Sequence, residues 1–240
     1  MATAPTATSI LAELSKLGAA SYKKVMLNHG AREPVHGVKI SDLKVIQKRA
    51  GGTNHALAKQ LWDSGVHDAM YLAGLLADDT QMTARDLQRW IDGAHCPMLS
   101  EYSVAWVAAG SPDGWKIATQ WIQSKKEREA AAGWNVLSGI VAITPDADLD
   151  LKALGELLAR VGKTIGSAPN RAKYTMISFV AAVGIYVKPL AAEALAVAKA
   201  LGKVEVDMGD TSCKVPSAVE MIGKAKARGS LGKKRKMVKC

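Results

Sequence analysis

The sequence predicts an all-α fold built from stacked helix pairs, and three observations predict it. Of 240 residues, 48% are apolar but only 5% are aromatic, with a single Phe, so the composition leans toward helix and away from a β-sandwich. A helix-pair pattern recurs from Asn54, Thr83, Asp113 and Asp148, at spacings of 29, 30 and 35 residues. Each first helix carries a large apolar residue at nearly the same offset, namely Trp62, Trp90, Trp121 and Leu158. A two-helix unit cannot bury its apolar face alone, so such units pile into a solenoid with a continuous core.

The elements follow in order. Ile10, Leu11, Leu14 and Leu17 mark a first helix ended by Gly18, Ser21 caps a second running to His29, and Ser41-Asp42 opens a third through Arg49, with loop from Gly30 to Lys39. The first pair runs from Asn54 to Trp62 and, after Ser64-Gly65, from His67 to Asp78. The second begins at Thr83, breaks at Gly93 and resumes from Pro97 to Ala109. The third begins at Asp113 and continues from Glu127 to Ile143; the fourth begins at Asp148 and continues, after Pro169, from Asn170 to Tyr186. Pro112, Pro145 and Pro169 punctuate these boundaries. Leu190–Leu201 and Pro216–Arg228 add two helices around an irregular Val204–Cys213. The repeat length is close to, and slightly below, that of HEAT-type repeats. The expected architecture is a curved HEAT-like repeat α-solenoid, an α-α superhelix forming a single domain over residues 1–228, followed by a mobile basic tail over 229–240.

Charge points to an acidic partner. The net charge is +10, and Lys224, Lys226, Arg228, Lys233, Lys234, Arg235, Lys236 and Lys239 supply eight of it with no acidic residue among them. The body is therefore near neutral overall, and its cations must be grouped to matter. Lys39, Lys44, Lys48 and Arg49 sit around one early helix, and Arg171 and Lys173 open another. These are candidate phosphate contacts, against the alternative of a solvated charged face. Lys233-Lys234-Arg235-Lys236 either anchors phosphates or reads as a nuclear localisation signal.

Several site classes are absent from the pattern. Cys96, Cys213 and Cys240 lie far apart, without a C-x-x-C pair, which excludes a disulfide framework and fits a reducing, cytoplasmic setting. His29, His36, His55, His67 and His95 show no metal-ligand spacing, so neither metal nor cofactor is expected. Gly162-Lys163-Thr164 imitates the end of a phosphate loop, but Leu157 stands where the earlier glycine belongs. His67-Asp68 reads as a helix cap, and Asp146, Asp148 and Asp150 as a capping loop. Met1–Ser9 lacks the pattern of a secretion leader, and no apolar run of about 18 residues is present, so no membrane is implicated.

The six tryptophans invite a base-stacking reading, but recurrence at one offset is what a stacked core needs, and Trp62, Trp90, Trp121 and Trp106 are assigned to it. Trp115 and Trp134 stay open between core and ligand contact. Glu101 has Pro97, Met98, Val104 and Ala105 as its helical neighbours, a small apolar strip without a local cation. It either faces a cavity or ligand or is a solvated glutamate on a helix flank.

The run from His55 to Ala69, followed by Leu75-Leu76-Ala77-Asp78-Asp79, resembles the DNA alkylation repair proteins of the AlkD type. So do Gly37-Val38 with the helix containing Leu43 and Ile46, Ala132-Gly133-Trp134 and Pro169-Asn170-Arg171, over roughly residues 10 to 225. The resemblance implies a solenoid that holds duplex DNA, alkylated or damaged, in a basic concavity. In that family the glycosylases remove cationic N3- or N7-alkylated purines with a carboxylate that stabilises the oxocarbenium-like sugar and two tryptophans against the deoxyribose. The carboxylate position falls at Glu101, which is thereby the expected catalytic residue. Pro97 stands at the first tryptophan position, Ala131 at the position of a family arginine, and Ser178 near the second tryptophan. Trp134 joins the basic residues as an expected DNA contact. The expected function is DNA binding of the alkylation-repair type by a monomer, extending to base-excision chemistry only if Glu101 is functional; the alternative is a non-catalytic scaffold for protein partners.

Overall fold

The computed structural model describes residues 5–239, so the readings at Met1–Ala4 and Cys240 lie outside the described residues. Among the described residues the chain is all helical, with thirteen α-helices and no strand. It gathers into two compact units. The first holds the described residues up to Asp113 with Gly209–Thr211 and Lys239; the second holds Gly114–Met208 and Ser212–Val238.

In the first unit α1 (Ala7–Leu17) opens on a capping box in which the Thr6 hydroxyl accepts the Ser9 N–H and the Ser9 hydroxyl oxygen accepts the Thr6 N–H. It ends at Gly18, where a Cβ would fall 2.4 Å from the His36 carbonyl oxygen, so the close approach of the 36–38 segment excludes any side chain. The second helix, α2 (Ala20–Asn28), is entered through Ala19 without a side-chain cap, and Ser21 lies inside it: the Ala19 N–H is satisfied by the Gly37 carbonyl instead. Then follow α3 (Ile40–Arg49), α4 (His55–Asp63) capped by Asn54, α5 (His67–Leu76), and α6 (Ala84–Gly93) capped by Thr83. The last expected helix of this unit splits into a π-helical segment, Met98–Val104, continued by α7 (Ala105–Gly110).

The second unit holds α8 (Gly114–Trp121), α9 (Glu127–Ile143), α10 (Leu151–Thr164), α11 (Asn170–Tyr186), α12 (Ala191–Leu201) and α13 (Ala218–Ala227). The long helices α9 and α11 pack along each other, α8 covers α9, and α12 and α13 cover α11.

Within each pair the two helices differ for a physical reason. First helices are amphipathic and present one stripe inward: Leu57, Leu61 and Trp62 on α4, Leu87, Trp90 and Ile91 on α6, Leu154, Leu158 and Val161 on α10. Second helices are buried over most of their surface, and every residue of α5 is buried. Trp62 and Trp90, the repeated tryptophans of successive first helices, stack in parallel, and Trp121 is buried as expected. Where α5 meets the π-helical segment, a Cβ on Gly74 would fall 2.7 Å from the Ser103 Cβ, so glycine sets how closely they approach.

The basic C-terminal residues make specific contacts. Lys234 Nζ lies 2.7 Å from the Asp146 carboxylate and donates to the Val141 carbonyl at 2.9 Å, while the Arg235 and Gly232 N–H groups donate to Ala142 and Ile185. Lys239 Nζ is 2.6 Å from both the Asp79 carboxylate and the Ala77 carbonyl oxygen. With lysine side chains only 19% and 13% exposed at these contacts, the segment is docked by complementary charge. No single helix among the described residues is long and apolar enough to cross a membrane.

Candidate functional site

The interior of the first unit collects its chemically capable side chains around the start of α5. There the Asp68 carboxylate, fully buried, accepts the His36 N–H and the Val38 N–H, both at 2.7 Å. The Asp68 reading as a cap is thus corrected in its target: it satisfies the donors of the preceding loop rather than those of its own helix. Together with the His67 N–H donating to the Pro34 carbonyl, this fixes the loop carrying Arg32 against α5.

His67 itself is fully buried. Its Nδ1 lies 3.2 Å from His95 Nε2 and 3.8 Å from Cys96 Sγ. Cys96 closes the link between α6 and the π-helical segment, its carbonyl accepting the Leu99 and Ser100 N–H groups. One ligating atom from each of His67, His95 and Cys96 falls within a 4.8 Å group.

Burial decides the protonation of this cluster. It holds the His67 imidazole down at about 4, outweighing the opposing Asp68 charge. His95, half-buried, is also below its ordinary value, through burial and then the Arg32 charge. Burial pushes the Cys96 thiol up to about 11, with backbone donors and Arg32 pulling down and the Glu101 charge adding to the rise. At neutral pH the cluster therefore presents two neutral imidazoles and a thiol. Burial thus disfavours the thiolate on which Cys–His covalent catalysis would depend.

Glu101 sits in the π-helical segment and is only 2% exposed. Wide turns of this kind recur at functional positions because they displace one residue from the helical register. Its carboxylate lies in the interior beside Cys96, on which its charge acts. Of the two sequence alternatives, a solvated flank is thereby removed.

The expected DNA contacts fall into three groups. Lys39, Lys44 and Lys48 are exposed at the start and on the outer side of α3. Arg49, on the same helix, is committed to an ion pair with Glu13. In the second unit Arg171 is half-buried with its guanidinium 4.4 Å over the Tyr174 ring, and its backbone N–H donates to the Glu127 carboxylate at 2.7 Å; Lys173 is half-exposed. Lys233, Arg235 and Lys236 are exposed, whereas Lys234 is taken up by Asp146. Trp134 differs from the expectation. It is 2% exposed, packed against Phe179 at 5.2 Å with Arg160 above its ring, so no face of the indole is open to a ligand.

Sequence reasoning missed Arg32 and the convergence of His67, His95 and Cys96. A signal was present: His67 and His95 lie 28 residues apart, the same separation as the stacked Trp62 and Trp90. Stacking of helix pairs brings equal offsets together. The second unit also holds a cleft of about 870 Å³ between α12, α13 and the irregular stretches 202–207 and 214–217, lined by Lys199, Lys203 and Lys214 together with Glu205 and Asp207.

With this geometry in view, comparison with known proteins gives a consistent answer. The family model described as DNA alkylation repair enzyme matches residues 10–200. An uncharacterized protein of Listeria innocua is 34% identical over 221 residues, covering 90% of this chain and 95% of the relative. One of Listeria monocytogenes is 32% identical over 220 residues with the same coverage. Among solved structures, one described as a new family of proteins related to the HEAT-like repeat DNA glycosylases, with affinity for branched DNA structures, is 36% identical. It matches with a TM-score of 0.89 over 98% of this chain and 100% of that one.

Proposed function

The chain belongs to the DNA alkylation repair enzyme family, and on that premise we propose that it is a DNA-binding protein that prefers branched DNA to linear duplex and does not excise bases. The observation that carries this reading is the likeness, along nearly the whole of both chains, to a protein with affinity for branched DNA structures. The exposed cations support it. Lys39, Lys44 and Lys48 in the first unit, and Lys233, Arg235 and Lys236 in the second, are free of ion pairs among the described residues. Such side chains neutralise phosphates without reading base sequence, and a junction offers more than one duplex arm to contact.

Two observations weigh against base excision. A carboxylate that stabilises an oxocarbenium-like sugar must reach the sugar, and Glu101 is 2% exposed. The preceding turn carries Pro97 where a glycosylase of this family has an aromatic wall. Glu101 is therefore assigned to the interior, where its charge acts on Cys96, rather than to substrate.

The test is fluorescence anisotropy of a labelled four-way junction and of a linear duplex of the same sequence, over a series of salt concentrations. The expected result is tighter binding of the junction by about tenfold, with affinity for both falling steeply as salt rises. Equal affinities would remove the branched-DNA reading. Release of free methylated purines from alkylated duplex, abolished by Glu101→Gln, would replace it with a glycosylase.

A further inference from the structure

We propose that His67 Nδ1, His95 Nε2 and Cys96 Sγ form a binding site for one divalent cation of the zinc class. The distances support it. Tetrahedral zinc with bonds of about 2.0–2.1 Å to nitrogen and about 2.3 Å to sulfur separates two nitrogens by roughly 3.4 Å and a nitrogen from a sulfur by roughly 3.6 Å. The corresponding separations here are 3.2 Å from His67 Nδ1 to His95 Nε2 and 3.8 Å from His67 Nδ1 to Cys96 Sγ, and all three ligand atoms lie within 4.8 Å of one another, so the His95 and Cys96 side chains draw together when the ion binds.

Hydrogen bonding alone accounts poorly for the arrangement. His67 Nδ1 has either one proton or one lone pair, yet both His95 Nε2 and Cys96 Sγ converge on it. A cation at the shared point engages all three ligand atoms at once and places the His67 proton on Nε2. Two imidazoles and one sulfur suit zinc and exclude the oxygen-seeking magnesium and calcium.

The surrounding charges are mixed. Asp68 acts on His67 and Glu101 on Cys96 as negative neighbours, while Arg32 acts on His95 and Cys96 as a positive one. On binding, the Cys96 S–H bond gives way to a sulfur–metal bond and its proton passes to solvent, leaving one sulfur-centred negative charge against the two positive charges of the ion. His95, half-buried, leaves the side from which an ion enters. This site is independent of the DNA-binding reading and stands or falls separately.

The test is titration of the reduced, metal-free full-length protein with Co²⁺, followed by absorption spectroscopy, with Zn²⁺ as competitor. The expected result is saturation at one equivalent, with the intense visible bands of four-coordinate Co²⁺ and a near-ultraviolet thiolate charge-transfer band, both bleached by Zn²⁺. Cys96→Ser loses the charge-transfer band and His95→Ala loses the visible bands, each with an unchanged far-ultraviolet circular dichroism spectrum. No charge-transfer band in the wild type overturns the site. A band that persists in Cys96→Ser also overturns it, because the sulfur then belongs to the exposed Cys213 or to Cys240. Should Cys96→Ser misfold, protection of Cys96 from thiol alkylation by added Zn²⁺ in the wild type takes its place, and unchanged alkylation is the contrary outcome.

Discussion

The indole rings of Trp62 and Trp90 lie face to face, 4.2 Å between centroids and 5° from parallel. They occupy equivalent positions of successive helix pairs, so the stack joins one repeat to the next rather than tightening either. Trp90→Ala is expected to cost about 3–5 kcal/mol in urea unfolding, and Trp62→Ala a similar amount. The double mutant should fall short of the sum by about 0.5–1.5 kcal/mol, the coupling of an aromatic pair. Strict additivity would mean that the two rings only fill space.

On the proposed reading Lys39, Lys44 and Lys48, all exposed, meet DNA through phosphate charge alone. Changing all three to Ala should weaken junction and linear duplex by similar factors and lower the slope of log affinity against log salt by roughly one for each phosphate no longer neutralised. Arg49→Ala, which breaks an ion pair with Glu13, should leave that slope unchanged. A binding isotherm series at four salt concentrations distinguishes the two.

Asp68 holds two backbone donors in a fully buried setting. Asp68→Ala leaves the His36 and Val38 N–H groups without an acceptor and should destabilise the protein by roughly 3 kcal/mol. Hydrogen exchange at Val38 should quicken by a larger factor than at Leu72 in the core of α5, because the loop is released first.

Asp86 gives a pH signature. Burial alone would raise its carboxyl, but the bonds from Lys59 and from Thr83, the cap of α6, outweigh it and hold the group below the ordinary carboxylate range. An acid depressed in the folded state stabilises above its unfolded value of about 3.8 and loses that contribution as pH falls through the folded value. The wild type should exceed Asp86→Asn by about 1 kcal/mol near neutrality, and the gap should narrow as pH falls below 3.8 toward the depressed folded value. Thermal unfolding of both proteins across that range checks it.

The docked C-terminal segment separates stability from binding. Lys234→Ala removes the partner of Asp146 and should lower stability by about 1 kcal/mol, whereas Lys233→Ala with Lys236→Ala, both exposed, should leave stability unchanged and reduce affinity for DNA. Deletion after Arg228 combines the two effects and so reports on neither alone.

Much of this architecture is legible in the residues. Helices α9 and α11 run between the limits that Pro145, Pro169 and the flanking polar residues set, and the repeated tryptophans are core because one offset recurs. The width of the turns at Met98–Val104 is not legible, since an extra residue inside a helix leaves the apolar pattern intact over so short a span. Trp134 looks like a ligand contact only until Phe179, 45 residues further on, is placed against it. His67, His95 and Cys96 escape a spacing search because their neighbourhood is created by stacking, not by sequence. Lys234 reads as a phosphate anchor and Lys239 as part of a basic tail because their partners, Asp146 and Asp79, are far away along the chain.

The widened turn at Met98–Val104 also makes this a place where chain length is negotiable. A deletion inside an ordinary buried helix rotates every later side chain by about 100° and throws the following packing out of phase. Here the loss of one residue turns a wide turn into an α-helical one and leaves Ala105–Gly110 facing as before. Relatives that differ by a single residue between Pro97 and Ala105 can therefore share the same frame, and an alignment that spreads that gap elsewhere would pair the wrong residues opposite Glu101.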